Sequence, residues 1–167
     1  MLRQHIDIRP ARVEDLNGIL AIKNHYILTS SAMWYEKTLD GKDIALWWRE
    51  HAGRADRPVF VAEDETGKVI GYASLSDFRS HDGYRHTAED SIYLLPGYEG
   101  IGLARALMEA AIAAGRMAGL RVVPAGIAGE NQHSIAVHCS LGLEMGGTTK
   151  RVGLPRGAER GVVIVDL

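Results

Sequence analysis

Apolar and polar residues alternate through Ile6, Asp7, Ile8 and Arg9 until Pro10 interrupts them, which predicts a short first strand. The period then changes: Leu16, Ile19, Leu20 and Lys23 recur at helical spacing behind Glu14 and Asp15, acids that suit a helix N-terminus. A second helix is predicted over Asp43 to His51, carrying Leu46, Trp47 and Trp48, with a loop from Gly53 to Arg57. Val59 to Ala62 and Val69 to Ala73 read as strands, and Asp64-Glu65-Thr66-Gly67 between them as a hairpin turn. The polar and aromatic run from Ser76 to His86 predicts a surface loop. A strand over Glu89 to Leu95 follows, then a small-residue turn, then a helix from Ile101 to Ala118. Leu103, Leu107, Ala110, Ala111 and Ala114 mark its buried stripe and Gly119 its stop. Val122 to Ile127 is the next strand, with Pro124 pushing it toward an edge or a splay point. Asn131 to Leu141 reads as a helix capped by Asn131, and Glu144 to Val152 and Gly161 to Leu167 as closing strands. The order gives an α/β layer fold with one mixed sheet.

Composition narrows the function more than the fold. A chain of 167 residues fits a single domain over residues 1–167 with one sizeable core. The formal net charge of −2 lacks the basic excess of a nucleic-acid-binding surface. Lys150, Arg151, Arg156 and Arg160 cluster, but read as a solvated loop and strand end. No apolar run is long enough to span a bilayer, and the N-terminal residues lack the apolar core of a signal peptide, so no membrane partner or leader is expected. The single cysteine, Cys139, excludes an intrachain disulfide and a zinc site of the usual spacing, which is compatible with a cytoplasmic setting. It is read as buried filler rather than a nucleophile, because no base is paired with it. His5, His25, His51, His81, His86 and His133 show no metal-ligand spacing.

The chemistry concentrates where the strand after residue 88 runs into a helix. Such a junction leaves backbone N–H groups without intrahelical partners, and the helix dipole adds partial positive charge there. Gly100 and Gly102 let phosphate approach the backbone, so the turn is a candidate seat for a pyrophosphate. It lacks the Gly-Lys-Ser/Thr ending of a P-loop and the full Gly-x-Gly-x-x-Gly of a dinucleotide fold. Glu89 opens the strand beside it as a candidate base, with Asp90 turned to the opposite face by strand alternation. An anion seat next to a base points to group transfer from a phosphate-bearing cofactor.

In order and spacing, several segments resemble the GNAT superfamily of acyl-CoA N-acyltransferases, most closely its phosphinothricin and methionine sulfoximine N-acetyltransferase branch. They are Ile8-Arg9-Pro10-Ala11 with Glu14-Asp15-Leu16, Ser31-Ala32-Met33-Trp34, Gly71-Tyr72-Ala73-Ser74, Asp77-Phe78-Arg79, Asp82 to Thr87, and Asn131, Ser134-Ile135, His138 and Leu141-Gly142. The resemblance implies the GNAT fold, a single mixed and mostly antiparallel sheet flanked by helices and splayed between the fourth and fifth strands. It implies acetyl-CoA as cofactor, with its pantetheine arm lying in the splay. Its pyrophosphate would meet Gly100, Ile101, Gly102, Leu103, Ala104 and Arg105. Ile92, Tyr93 and Leu94 would meet the pantetheine through their backbone, and Asn131 would also touch the cofactor. Arg79, Ser80 and His81, with Glu89, Asp90 and Ser91, would line the acceptor site. A homodimer is implied as well.

These assignments sort into roles. Glu89 is the general base that takes a proton from the acceptor ammonium, and a backbone N–H near Tyr93 or Leu94 stabilises the oxyanion. His138, standing where many superfamily members carry a tyrosine acid, is expected either to reprotonate the leaving thiolate or only to pack against the sulfur end of the cofactor. Arg79 or Arg85 holds an acceptor carboxylate as a bidentate pair, and Trp34 and Tyr84 wall its pocket. Trp47 and Trp48 are read as packing or dimer contacts. Glu99 departs from the pattern, which usually opens with arginine or glutamine. Either its side chain points away or cofactor affinity suffers. Leu143 replaces a common aromatic, and Arg156 to Val162 departs from the branch's usual ending. The expected activity is acetyl transfer to the primary amine of a small amino-acid-like molecule. The alternatives are acetylation of peptide or protein N-termini and a non-catalytic acyl-CoA-binding module.

Overall fold

Eleven elements follow the order read from the sequence in the computed structural model, which describes residues 5–153 and 160–166, with side chains from 5 to 150. They are β1 (Asp7–Pro10), α1 (Leu16–Thr29), α2 (Gly41–Arg49), β2 (Val59–Glu63), β3 (Val69–Asp77), β4 (Ala88–Leu94), α3 (Leu103–Met117), β5 (Ala125–Ala128), α4 (Gln132–Ser140), β6 (Glu144–Gly153) and β7 (Arg160–Asp166). Arg156 lies outside the described residues.

The strands form two antiparallel pieces, β1-β2-β3-β4 and β5-β7-β6. A parallel bridge between Thr87 and Val122 joins them. Beside it the Ala88 and Asp90 N–H groups donate to the Val122 and Pro124 carbonyls at 3.1 and 3.2 Å. The chain around Pro124 thus follows β4 only briefly. The strand expected from Val122 starts instead at Ala125, where the chain leaves β4 and pairs with β7. Past that point β4 and β5 diverge, and the sheet opens into a cleft.

Each face of the four-stranded piece carries its own core. Ile19, Ile22, Ile44, Val61 and Tyr72 pack between the sheet and α1 and α2. Ala73, Leu75, Leu107, Met108 and Ala111 pack under α3. The buried stripe of α3 is Leu103, Leu107, Met108, Ala111, Ile112 and Gly115, with the expected Ala110 and Ala114 only half-buried. Gly115 sets this rotation, since a Cβ there would stand 2.7 Å from the side chains of both Leu75 and Leu120. β3 runs on to Asp77, past the strand end expected at Ala73, because it pairs with β4 as far as Asp77 opposite Ala88. Only the remainder of the predicted loop is irregular, with one 3-10 turn at Asp82–Tyr84. On α4, Ile135 and His138 turn inward, so the neighbouring Cys139 is exposed rather than buried. Leu143 fills the core with no need of an aromatic ring.

Candidate active site

The edge of β4 that faces the cleft follows from its register. Ala88 and Asp90 aim their N–H groups at the other sheet piece, whereas Leu95 donates to Ile70 on β3 at 2.7 Å. Alternation along an extended chain therefore turns the N–H groups of Ile92 and Leu94 into the cleft and that of Tyr93 toward β3. Of the oxyanion donors considered from the sequence, Leu94 keeps that orientation and Tyr93 does not. The Tyr26 hydroxyl donates to the Leu94 carbonyl at 2.7 Å, and the Tyr93 hydroxyl to the Ala32 carbonyl at 2.8 Å.

Beyond β4 the chain makes three left-handed turns, at Gly97, Gly100 and Gly102, with φ of +94°, +75° and +81°. Gly102 caps α3 with no side chain to accept from the first helical N–H groups. The first backbone bond of the helix is Ala106 N–H to Gly102 O at 3.1 Å, which leaves the amides of Leu103, Ala104 and Arg105 without intrahelical partners. A Cβ built on Gly100 or Gly102 meets nothing within 4 Å. Glycine is needed there for the backbone angle rather than for room. Glu99 folds back so that its carboxylate accepts from the Gly97 N–H at 2.7 Å. The Arg105 guanidinium runs down the helix to Glu109 at 2.8 Å, so the anion seat consists of backbone. Free amides and a helix dipole fit a diphosphate, with the Glu99 carboxylate as the one group set against it.

A cavity of about 510 Å³ runs from the α1–α2 side into the cleft. Lys23, Trp34, Trp47 and Glu50 wall one end, Glu89 to Tyr93 line its length, and Gly126, Asn131, Ser134 and His138 face them across the cleft. A smaller cavity of about 140 Å³ shares Ala32, Ile92, Tyr93, Asn131 and Ser134 with it and reaches Leu94, Glu99 and Ala104. Together they connect Lys23 to the start of α3. A groove of about 610 Å³ beside Trp48, Arg57 and Met117 has no carboxylate in its lining.

Several groups in the main cavity titrate abnormally, among them Glu89, Asp90, His138 and Lys23. Glu89 is half-buried and faces no cation among the described residues; burial and the neighbouring Asp90 charge push its carboxyl above the usual range. Asp90 Oδ2 lies 3.0 Å from His138 Nε2. The approach is off the hydrogen-bond axis, since neither buried atom makes an aligned bond, so the contact is an ion pair. His138 Nδ1 donates to the Ser134 carbonyl at 2.6 Å, which puts the ring's other nitrogen against the acid. Burial works against the imidazolium, but Asp90 and the Ser134 carbonyl outweigh it and raise its pKa. Burial also raises Asp90. We take the pair to share one proton, held on the ring, because the ring has two acceptors and the acid has one cationic neighbour. Lys23 is 5% exposed, and burial lowers its ammonium pKa to about 8.

The model of the family described as acetyltransferase (GNAT) family matches residues 20–143. The chain belongs to the acetyltransferase (GNAT) family. It is 41% identical over 152 residues to the L-amino acid N-acyltransferase MnaT of Escherichia coli strain K12, covering 91% of this chain and 87% of that one. It is 41% identical over 150 residues to the L-methionine sulfoximine/L-methionine sulfone acetyltransferase of Salmonella typhimurium, covering 90% and 86%. Among solved structures, a GNAT superfamily phosphinothricin acetyltransferase from Sinorhizobium meliloti in complex with acetyl-CoA superposes with a TM-score of 0.91 at 34% identity, over 97% of this chain and 87% of that one.

In this acetyltransferase the residues singled out from the sequence fall into three groups: Gly100 to Arg105 form the turn and first amides of α3, with Leu94 and Ala104 on the smaller cavity, and the rest lie either on the main cavity or away from it. Glu89, Asp90, Ser91, Ile92, Tyr93, Asn131, His138 and Trp34 meet on the main cavity. Asn131 caps α4 as read, accepting from the Ser134 N–H at 3.1 Å. Arg79, Ser80, His81, Tyr84 and Arg85 do not line it. Their loop folds on itself, with the Arg79 guanidinium 5.2 Å from the Phe78 ring and 5.7 Å from the Tyr84 ring. Arg85 donates to the Asp82 carbonyl at 3.3 Å. Trp47, read as a packing or dimer contact, packs against the core under α1 and α2 and walls the cavity as well. The sequence reading passed over Lys23, Glu50 and Ser76. The one available signal was a lysine standing in the apolar register of α1.

Proposed function

We propose that this acetyltransferase moves the acetyl group of acetyl-CoA to the primary amine of a small amino-acid-like acceptor of the phosphinothricin or methionine sulfoximine type, with Glu89 as general base. The observation that carries the reading is the unpaired, half-buried Glu89 carboxylate, in a cavity continuous with the free edge of β4 and the amide cradle of α3. Acetyl-CoA, when bound, brings a thioester whose carbonyl carbon accepts the amine and whose thiolate leaves.

Glu89 takes a proton from the acceptor ammonium, directly or through one water, and frees the nitrogen lone pair. The amides of Leu103, Ala104 and Arg105 hold the diphosphate, and Gly100 and Gly102 give the turn its shape. The Ile92 and Leu94 amides are donors for the pantetheine and for the oxygen on which charge grows; one such donor is worth about 3 kcal/mol. His138 returns a proton to the leaving sulfur. With Nδ1 tied to Ser134, that proton comes from Nε2, the nitrogen against Asp90.

We extend the reading to a cytoplasmic homodimer, on the family resemblance. Arg79, Ser80, His81 and Arg85 then serve an acceptor only by closing over a cavity from a second copy. The test is acceptor-dependent release of free thiol from acetyl-CoA, with L-methionine sulfone, phosphinothricin and short peptides as acceptors. Glu89→Gln is expected to lose about a hundredfold or more in kcat with acetyl-CoA affinity kept. Full activity in that variant removes Glu89 as base, and turnover of peptides alone removes the acceptor class.

A further inference from the structure

Lys23 is an ionisable side chain in the interior with no counter-charge among the described residues. It is 5% exposed, and its Nζ sits 4.6 Å from the Trp47 ring centre and 5.3 Å from that of Tyr72. Among the described residues it makes no ion pair or hydrogen bond; burial is what lowers its pKa, and the charge interaction it has is repulsion toward a protonated His51. Glu50 lines the same cavity without pairing to it. Beside it, the Tyr72 hydroxyl is fully buried and also lacks a partner. Two aromatic faces moderate a buried ammonium by cation–π attraction, but leave its three N–H donors unused. A lone charge kept out of water at a cavity wall is unfavourable unless something that enters the cavity meets it.

The sheet register says what it would meet. Tyr72 pairs with Tyr93 and Ser76 with Glu89. Cross-strand partners share a face, and alternation puts Tyr72 and Ser76 on the same one. Lys23 therefore rests on the sheet face from which Glu89 projects, and both line one cavity. A molecule spanning that cavity finds a proton acceptor at one place and an unpaired cation at another. The arginines read from the sequence as carboxylate holders are engaged elsewhere, Arg79 on two rings and Arg85 on its own loop.

We infer that Lys23 is the anchor for an oxyanion of the acceptor, an α-carboxylate or a side-chain acid, and so selects zwitterionic amines over simple ones. This rests on the acetyl-transfer reading above. Trp47 forms the floor under the ammonium and Tyr72 the wall, fixing where the anion sits while Glu89 receives the amine.

The test compares wild type, Lys23→Met and Lys23→Arg at saturating acetyl-CoA, with L-methionine sulfone, its α-carboxamide and phosphinothricin as acceptors. Lys23→Met is expected to raise KM for the acids about tenfold or more, as for loss of a charged hydrogen bond. Its kcat is expected to stay within about threefold and the carboxamide KM within about twofold. Lys23→Arg is expected to restore part of the affinity. A response to both acids assigns the α-carboxylate; a response to phosphinothricin alone assigns the phosphinate. Equal weakening of acid and carboxamide, or no change in KM, overturns the anchor. If wild type acetylates none of the three, the activity reading fails on its own, and quenching of tryptophan fluorescence by methionine sulfone decides the anchor. Binding seen in wild type and lost in Lys23→Met upholds it. Binding shared by both proteins, or absent from both, ends it.

Discussion

The carboxylate of Asp90 on β4 meets the imidazole of His138 on α4 at 3.0 Å, each side chain only 2% exposed. The contact ties the two walls of the cleft together just past the point where the sheet parts. Removing one member leaves the other buried alone, which costs about 3 kcal/mol or more. Asp90→Asn is therefore expected to lower stability by that order. The pH dependence follows from the raised pKa of His138. The imidazolium's contribution is fully present below the ordinary histidine value and is lost as pH rises through the raised one. The gap between wild type and variant in urea midpoint should be wider at about pH 6 than at about pH 8.5; equal gaps would remove the ion pair.

Glu89 carries the base role only when ionised, and burial with the Asp90 charge holds its proton to higher pH than an ordinary carboxyl. The acid limb of kcat/KM should therefore lie above the usual carboxylate range near 4. A limb at the ordinary position would assign the base elsewhere.

Gly102 holds φ at +81° as the cap of α3. An alanine there adopts the left-handed region at about 1–2 kcal/mol. It is also expected to tilt the Leu103–Arg105 amides, so Gly102→Ala should weaken acetyl-CoA binding about tenfold by calorimetry. Unchanged affinity would place the diphosphate away from this turn.

Glu99 closes on the Gly97 amide at 2.7 Å and places a like charge beside the proposed diphosphate. Glu99→Gln is expected to tighten acetyl-CoA binding several-fold at low salt, with the advantage shrinking as ionic strength rises past about 0.1 M. No difference at either salt would show that the carboxylate lies outside the phosphate field.

Lys23 falls to about pKa 8 from an ordinary 10.5, a difference worth about 3 kcal/mol. Below pH 8 both folded and unfolded chains carry the ammonium, and the folded one bears its burial. Between about 8 and 10.5 the folded protein loses the proton first, so stability rises with pH. Tyr26, Tyr72 and Tyr93, whose hydroxyls burial pushes up, act the other way at still higher pH. Lys23→Met should melt higher than wild type at neutral pH and flatten the rise. A lower melting temperature would mean the ammonium is stabilised by a contact not described above.

What the sequence disclosed was local. The Asn131 cap, the Gly100–Gly102 turn and Glu89 on its strand each depend on neighbours within a few residues, and period and turn chemistry reach that far. Asp90 against His138 depends on how far β4 and β5 part before α4 crosses, and no spacing encodes that. Lys23 was counted in a helical stripe as if it were apolar; its isolation appears only once α2 brings Trp47 over it. Arg79, Ser80, His81 and Arg85 adjoin the active strand in sequence, but their loop closes on itself away from the cavity, through Arg79 and His81 on aromatic rings and Arg85 on the Asp82 carbonyl. Cys139 reads as buried filler for want of a paired base, whereas on α4 the inward position belongs to its neighbour His138 and Cys139 is exposed.

Past Asp90, whose N–H still reaches Pro124, β4 turns the Ile92 and Leu94 amides into the open cleft. Open strand edges are sticky toward other polypeptides. The empty enzyme should therefore self-associate more readily than the loaded one, and its coenzyme should act in storage as a preservative.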